Sequence, residues 1–216
     1  MATLVGQQLK RRFALPYACY KLVFKREAFI RESGWLESIR ACRPCGRDGQ
    51  PIPWMNYNVV EFFDERLTDQ LSVFEFGSGY STSFFASRCR DVLAVEHDMT
   101  WQQQVQQMLP ANASVMHCDS TPDGSYCRAA SQQRASFHVV IVDGRDRVNC
   151  VRHSLRAMAA DGVLVLDDSD RERYSDAFPL MRQHGFRHLH FSGIKPGKSC
   201  RNQTTIFYRD KNCLGL

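Results

Sequence analysis

The sequence predicts an α/β fold: a sheet of five parallel strands plus a C-terminal antiparallel hairpin, helices on both faces, and an N-terminal helical arm. Three observations predict it. From residue 72 onward, short β-branched or apolar runs alternate with helix-period segments, the pattern of successive βαβ units. The last two apolar runs are joined only by the loop Gly193-Ile194-Lys195-Pro196-Gly197-Lys198, too short for a helical crossover, so they pair antiparallel. The first 50 residues hold ten Lys or Arg against four Asp or Glu, which makes that segment +6 in a chain whose formal net charge is +5. The remainder is therefore almost neutral, and the basic segment reads as a separate arm.

The arm and its connecting loop occupy residues 1 to 56. Within it, Leu9-Lys10-Arg11-Arg12-Phe13 and Tyr20-Lys21-Leu22-Val23-Phe24-Lys25-Arg26 mix basic and apolar side chains. Such a helix serves as a cap with a solvated basic face, or as a contact for an anionic membrane surface or another polyanion. Pro51-Ile52-Pro53-Trp54-Met55-Asn56-Tyr57 is a stiff loop. Its aromatics are either staples between arm and domain or a wall of an acceptor pocket. Residues 57 to 216 form the main domain, opening with an amphipathic helix from Val59 to Leu67.

Strands are expected at Ser72 to Phe76, Val92 to Glu96, Ser114 to Cys118, Phe137 to Val142 and Val163 to Leu166. Helices fall between them at Tyr80 to Arg88, Thr100 to Leu109 and Val148 to Ala159, the last closing on an Asp161-Gly162 turn. A polar helix from about Arg171 to His184 precedes the hairpin strands, Phe186 to Phe191 and Thr204 to Tyr208. Strands read as continuous apolar runs when both faces of a sheet are covered, so the expected architecture is Rossmann-like.

At 216 residues, with 44% hydrophobic and 24% charged, the chain is long enough for one well-cored domain and an appendage. It has no apolar run of spanning length and no leader-like N-terminal segment, so a cytosolic location is expected. Nine cysteines, an odd and scattered set, suit reduced thiols. Cys42-Arg43-Pro44-Cys45 is the only close pair, and no second CxxC or HxxxH completes a zinc site. His184, His188 and His190 fit no metal spacing and read as surface or packing residues.

The run Val73-Phe74-Glu75-Phe76-Gly77-Ser78-Gly79-Tyr80-Ser81-Thr82 joins the first strand to a helix through a glycine turn, where backbone can approach a ligand closely. By itself this fits a dinucleotide fingerprint, an adenosyl-ligand motif or a tight turn. The dinucleotide fingerprint wants Gly or Ala where Thr82 stands. Glu75-Phe76-Gly77-Ser78-Gly79 resembles the first motif of the class I S-adenosylmethionine-dependent methyltransferases, and the resemblance extends over about residues 57 to 209. It implies S-adenosylmethionine held by Glu75, Gly77, Ser78, Gly79 and Ser81. It further implies Glu96 on the ribose hydroxyls and Asp119 near the adenine amino group. Asp143-Gly144-Arg145-Asp146 lacks the Asn/Asp-Pro-Pro-aromatic pattern of base N-methylation, and no specific nucleic-acid motif is present.

Methyl transfer is an in-line displacement that needs an aligned nucleophile and, for a hydroxyl, a proton acceptor. Leu166-Asp167-Asp168-Ser169-Asp170-Arg171 puts acids beside Asp143 at the sheet edge. The set looks like that of the cation-dependent catechol and caffeoyl-coenzyme A O-methyltransferases: Asp143 and Asp167 match, and Asp168 stands where that family has Asn. This implies Mg²⁺ or another divalent cation on Asp143, Asp167 and Asp168. Without a metal, Asp143 or Asp168 serves as base. Arg145 and Arg147 either hold an anionic acceptor or neutralise the acids. The expected activity is methyl transfer to a hydroxyl of a small-molecule or sugar-like acceptor. Aminopropyl transfer on the same fold, or an inactive adenosyl-ligand-binding scaffold, are the alternatives.

Overall fold

A computed structural model describes residues 4–216, with side chains from residue 12 onward. The N-terminal segment holds α1 (Leu4–Phe24), α2 (Phe29–Glu32), α3 (Trp35–Arg40) and α4 (Tyr57–Arg66). The domain continues through β1 (Ser72–Phe76), α5 (Tyr80–Ala86), β2 (Asp91–Glu96), α6 (Met99–Met108), β3 (Ala113–His117), α7 (Ser125–Arg128) and β4 (Phe137–Val142). It ends with α8 (Arg147–Ser154), β5 (Met158–Leu166), α9 (Ala177–Gln183), β6 (Arg187–Ile194) and β7 (Arg201–Tyr208).

One sheet contains all the strands in the order β3-β2-β1-β4-β5-β7-β6. The first five run parallel, while β7 pairs antiparallel with both β5 and β6. The hairpin is thus part of the same sheet, which counts seven strands rather than five. Alternation along the strands divides the core in two. Phe74, Phe76, Val140, Val142, Leu164 and Leu166 pack against α7, α8 and α9 on one face. Val73, Ile141, Val163 and Val165 pack against Val59 and Phe63 of α4 and Phe84 and Phe85 of α5 on the other. Burial on both faces accounts for strands without polar alternation.

Two helix expectations change. α8 stops at Ser154, and Asp161-Gly162 lies inside β5 instead of forming a turn. The β4–β5 register slips between Phe137↔Met158 and Val139↔Val163, and this irregularity absorbs the residues assigned to the helix. A Cβ at Gly162 would lie 3.0 Å from both the Ala159 and Phe137 carbonyl oxygens, so glycine fits the crowded bend. The expected helix from Arg171 to His184 divides into a 3₁₀ turn, Glu172–Tyr174, and α9. Pro179 explains the break: it is tolerated in a first helical turn but not four residues deeper.

The N-terminal segment is also divided in its packing. From Arg12 on, α1 lies in solvent with Phe13, Leu15, Tyr17, Tyr20, Leu22 and Phe24 all exposed, so it caps no core. The stretch from α2 to the proline loop docks on the hairpin instead. Trp35 Nε1 donates to the Lys198 carbonyl at 2.7 Å, and Trp54 Nε1 to that of Pro196 at 3.0 Å. Cys45 is buried and Cys42 exposed, and neither belongs to a metal-capable cluster among the described residues. No described helix is long and apolar enough to cross a membrane.

Candidate active site

The C-terminal ends of β1, β2 and β4 open onto a cleft of about 830 Å³, where open α/β sheets bind ligands. Its floor is the turn between β1 and α5. Gly77 has φ +95°, a conformation that disfavours any Cβ, and it packs against Gly144 after β4. A Cβ on Gly77 would lie 3.4 Å from the Gly144 backbone, whereas one on Gly144 would strike the Tyr126 hydroxyl. Gly144 is therefore required by packing as firmly as the glycines of the turn itself.

Glu75 is buried at the end of β1 and accepts hydrogen bonds from the hydroxyls of Ser81 and Thr82, the latter at 2.6 Å. Thr82 Oγ1 also accepts from the Gly79 amide at 3.0 Å. The threonine that breaks a dinucleotide fingerprint is thus the latch that ties α5 to β1. Burial raises the Glu75 carboxyl from its usual 4.5 to about 7, against the pull of the two hydroxyls.

Glu96 closes β2 with one oxygen, Oε1, held by the amides of His97 and Asp98 at 2.7 and 3.0 Å and by His97 Nδ1 at 2.6 Å. Its other oxygen, Oε2, meets Ser78 through longer bonds, 3.2 Å from N and 3.3 Å from Oγ. Glu75, Gly77, Ser78, Ser81 and Glu96 all line the cleft. Gly79 does not. Trp101 from α6 covers it, with the indole donating to the Ser78 carbonyl at 2.9 Å. Asp119 is exposed in the loop beyond β3, away from the cleft lining. The strand ends at His117.

On the acceptor side, Asp143, Asp167 and Asp168 come together, with one carboxylate oxygen from each lying within 4.8 Å of the others. Lys195, from the hairpin loop, reaches into this group. Its Nζ lies 2.6 Å from Asp167 Oδ2 and 2.9 Å from Asp168 Oδ1. Arg147 adds a second cation, 2.9 Å from Asp143 Oδ1. Its guanidinium also donates to the carbonyls of Asp143 and Gly144. Asp167 further accepts from Thr204 at 2.6 Å, and Asp168 from Asn202 at 2.9 Å and from Arg171 at 2.7 Å. These donors engage both oxygens of Asp167 and of Asp168 and one of Asp143, so the acids are charge-compensated by Lys195, Arg147 and Arg171 rather than open to a hard cation. Arg147 neutralises acids, while Arg145 is exposed at the cleft mouth with Nε 3.3 Å from His97 Nε2.

Asp143 and Asp168 are shifted in opposite directions. Asp143 is pushed well above the usual carboxylate range by burial and then by the neighbouring Asp167, with Arg147 and Lys195 opposing. For Asp168, burial alone would raise it, but Lys195, Arg147 and Arg171 together bring it below its ordinary value. Asp143 therefore has the higher proton affinity of the two, while Asp168 is held in ion pairs with Lys195 and Arg171.

A buried polar chain fastens the proline loop to this cluster. Asn56 caps α4 through Oδ1, and its amide donates to Asn202 Oδ1 at 3.1 Å and to Thr204 Oγ1 at 3.0 Å. Trp54 is consequently held beside Lys195, Asp143 and Asp168 around a second cavity of about 470 Å³. Met55 and Tyr57 are buried in the core. Sequence reasoning missed Trp101, Tyr126, Lys195, Asn202 and Thr204. The signal for the last two was the polar Asn202-Gln203-Thr204 run near the start of a strand that ends apolar.

No protein-family model matches the sequence, and no curated protein is significantly similar to it. Solved structures are similar in fold. A methyltransferase-like protein from Silicibacter pomeroyi shares 21% identity over 74% of this chain and 90% of its own, at a TM-score of 0.54. An rRNA methylase from Streptococcus thermophilus shares 15% over 69% and 93%, at 0.53. The N-methyltransferase NodS from Bradyrhizobium japonicum, in complex with S-adenosyl-L-homocysteine, shares 12% over 70% and 84%, at 0.51. The chain has the Rossmann-like α/β fold of the class I methyltransferases.

Proposed function

We propose that the chain is an S-adenosylmethionine-dependent O-methyltransferase acting on a small, sugar-like acceptor. The observation that carries the reading is the position of Asp143, whose side chain borders both the cleft behind the glycine turn and the second cavity beside Trp54. A base in that wall reaches an acceptor hydroxyl in one cavity as it attacks a methyl group presented from the other. The cleft residues fit an adenosyl ligand. Gly77 and Gly144 keep Cβ atoms out of its floor, and Glu96 Oε2 is the oxygen to accept ribose hydroxyls. Bound there, S-adenosylmethionine supplies an electrophilic methyl carbon.

The acceptor oxygen forms a bond to that carbon as the carbon–sulfur bond breaks. The bonding pair leaves with sulfur as a neutral thioether, and the hydroxyl proton passes to Asp143. Burial and the neighbouring Asp167 raise the proton affinity of Asp143, the direction in which a carboxylate becomes a better general base. Lys195 and Arg147 already supply positive charge among the acids, so no step runs through a metal. Aminopropyl transfer fits less well, because a cationic polyamine would meet Arg171, Lys198 and Arg201. The test follows an isotopically labelled methyl group from S-adenosylmethionine into product: recovery as a methyl ether supports the reading, and recovery as an N-methyl or C-methyl group overturns it.

We further infer that α1 contacts an anionic lipid surface. Its support is the combination of exposed Phe13, Tyr17, Tyr20 and Phe24 with basic Arg12, Lys21, Lys25 and Arg26 on one unpacked segment. Interfacial helices join these two residue classes.

A further inference from the structure

The second cavity carries information about the acceptor's charge. It is bordered by four cations, Arg171, Lys195, Lys198 and Arg201, and by two acids, Asp143 and Asp168. Lys195 and Arg171 are committed to Asp168. Lys198 and Arg201 have no carboxylate within ion-pair distance among the described residues. Lys198 Nζ rests over the Trp54 ring, 5.2 Å from its centroid, and Arg201 donates only to the Ser192 hydroxyl at 3.1 Å. Two cations without counter-ions beside a cavity create a positive potential that favours an anion.

These cations are also preorganised. The loop that bears Lys198 is clamped by the Trp35 indole at the Lys198 carbonyl and by the Trp54 indole at that of Pro196, and Arg201 opens the β7 strand of the sheet. Trp54 remains 46% exposed, an aromatic surface next to the charges. An aromatic face suits the C–H face of a saturated sugar ring, and an adjacent guanidinium and ammonium suit a carboxylate or phosphate.

We propose that the methyl acceptor is an anionic sugar, its carboxylate or phosphate bound by Lys198 and Arg201, its ring against Trp54, and a hydroxyl turned toward Asp143. The proposal rests on the methyl-transfer reading above and adds the acceptor's charge class. In the transfer, the sugar's carboxylate or phosphate stays ionised and unreacted, and only the hydroxyl loses its proton.

The test is calorimetric titration of the full chain with D-glucuronate, glucose 6-phosphate and neutral glucose, each with and without saturating S-adenosylhomocysteine. The expected result is saturable binding of at least one anionic sugar, at least about tenfold tighter than glucose. Lys198→Ala and Arg201→Ala should each weaken it about tenfold or more, as expected for a lost charge-assisted hydrogen bond, while leaving S-adenosylhomocysteine affinity unchanged. The glucuronate and phosphate arms identify which anion the site takes. Equal affinity for glucose, absence of binding by both anionic sugars, or undiminished anion binding in both variants overturns the proposal. Because S-adenosylhomocysteine is titrated separately, its failure to bind counts against the methyl-transfer reading and is distinguishable from a failed acceptor class.

Discussion

Lys195 Nζ stands 2.6 Å from Asp167 Oδ2, so an ammonium from the hairpin loop sits inside an acid cluster that the sequence reading assigned to a metal. Asp167 is fully buried and the Lys195 side chain only 16% exposed. Removing one member of such a pair leaves an uncompensated buried charge and costs about 3–5 kcal/mol. Lys195→Met should therefore lower the free energy of unfolding by an amount in that range in denaturant titrations at pH 7. A loss of less than about 1 kcal/mol would mean that the pair does not hold the hairpin loop.

The same pair bears on metal dependence. Turnover of the wild-type protein should be insensitive to EDTA and to added Mg²⁺, because Lys195 and Arg147 supply the charge. Activity abolished by EDTA and restored by Mg²⁺ would return the acids to the role of metal ligands.

Asp143→Asn removes the proposed proton acceptor while preserving shape and much of the hydrogen bonding. General-base catalysis contributes about 10²–10⁴-fold, so turnover should fall by at least about a hundredfold. S-adenosylhomocysteine affinity should change by less than about threefold, since the two readouts separate chemistry from cofactor binding. A variant retaining more than about a tenth of wild-type turnover would exclude Asp143 as the base.

Glu75 makes stability depend on pH in a defined direction. Its carboxyl is raised to about 7 from 4.5, so between those values the folded chain binds more protons than the unfolded one. Stability from this group is therefore complete below about pH 4.5 and declines as pH rises through 7, by on the order of 3 kcal/mol. Glu75→Gln keeps an acceptor for Ser81 and Thr82 and cannot ionise. Its stability relative to wild type should rise between pH 5 and pH 8 in thermal or denaturant unfolding. A difference that is flat with pH would show that Glu75 does not titrate in this range.

Deleting residues 1 to 26 should abolish sedimentation with phosphatidylserine-containing vesicles at low salt and leave S-adenosylhomocysteine affinity unchanged. Equal sedimentation of the truncated protein would remove α1 as the lipid contact.

The parallel sheet was legible because neighbours such as Val139 and Val140, or Leu164 and Val165, alternate over two buried faces, giving apolar runs bounded by turn residues. Glu75, Gly77 and Glu96 were legible because their spacing is local to one strand–turn–helix unit and the next strand end. Lys195 was not, because its significance arises only when β7 inserts beside β5 and carries the hairpin loop back over Asp167. Asn56 was hidden for the same reason: its partners lie about 140 positions away, in Asn202 and Thr204.

Calorimetric titration with S-adenosylhomocysteine, beside NADH, tests the adenosyl-ligand cleft most directly. The wild-type chain should bind S-adenosylhomocysteine saturably at one site and give no saturable heat with NADH. Glu96→Gln should weaken that binding about tenfold or more by removing a charged acceptor of the ribose hydroxyls. Saturable NADH binding with no response to S-adenosylhomocysteine would contradict the account.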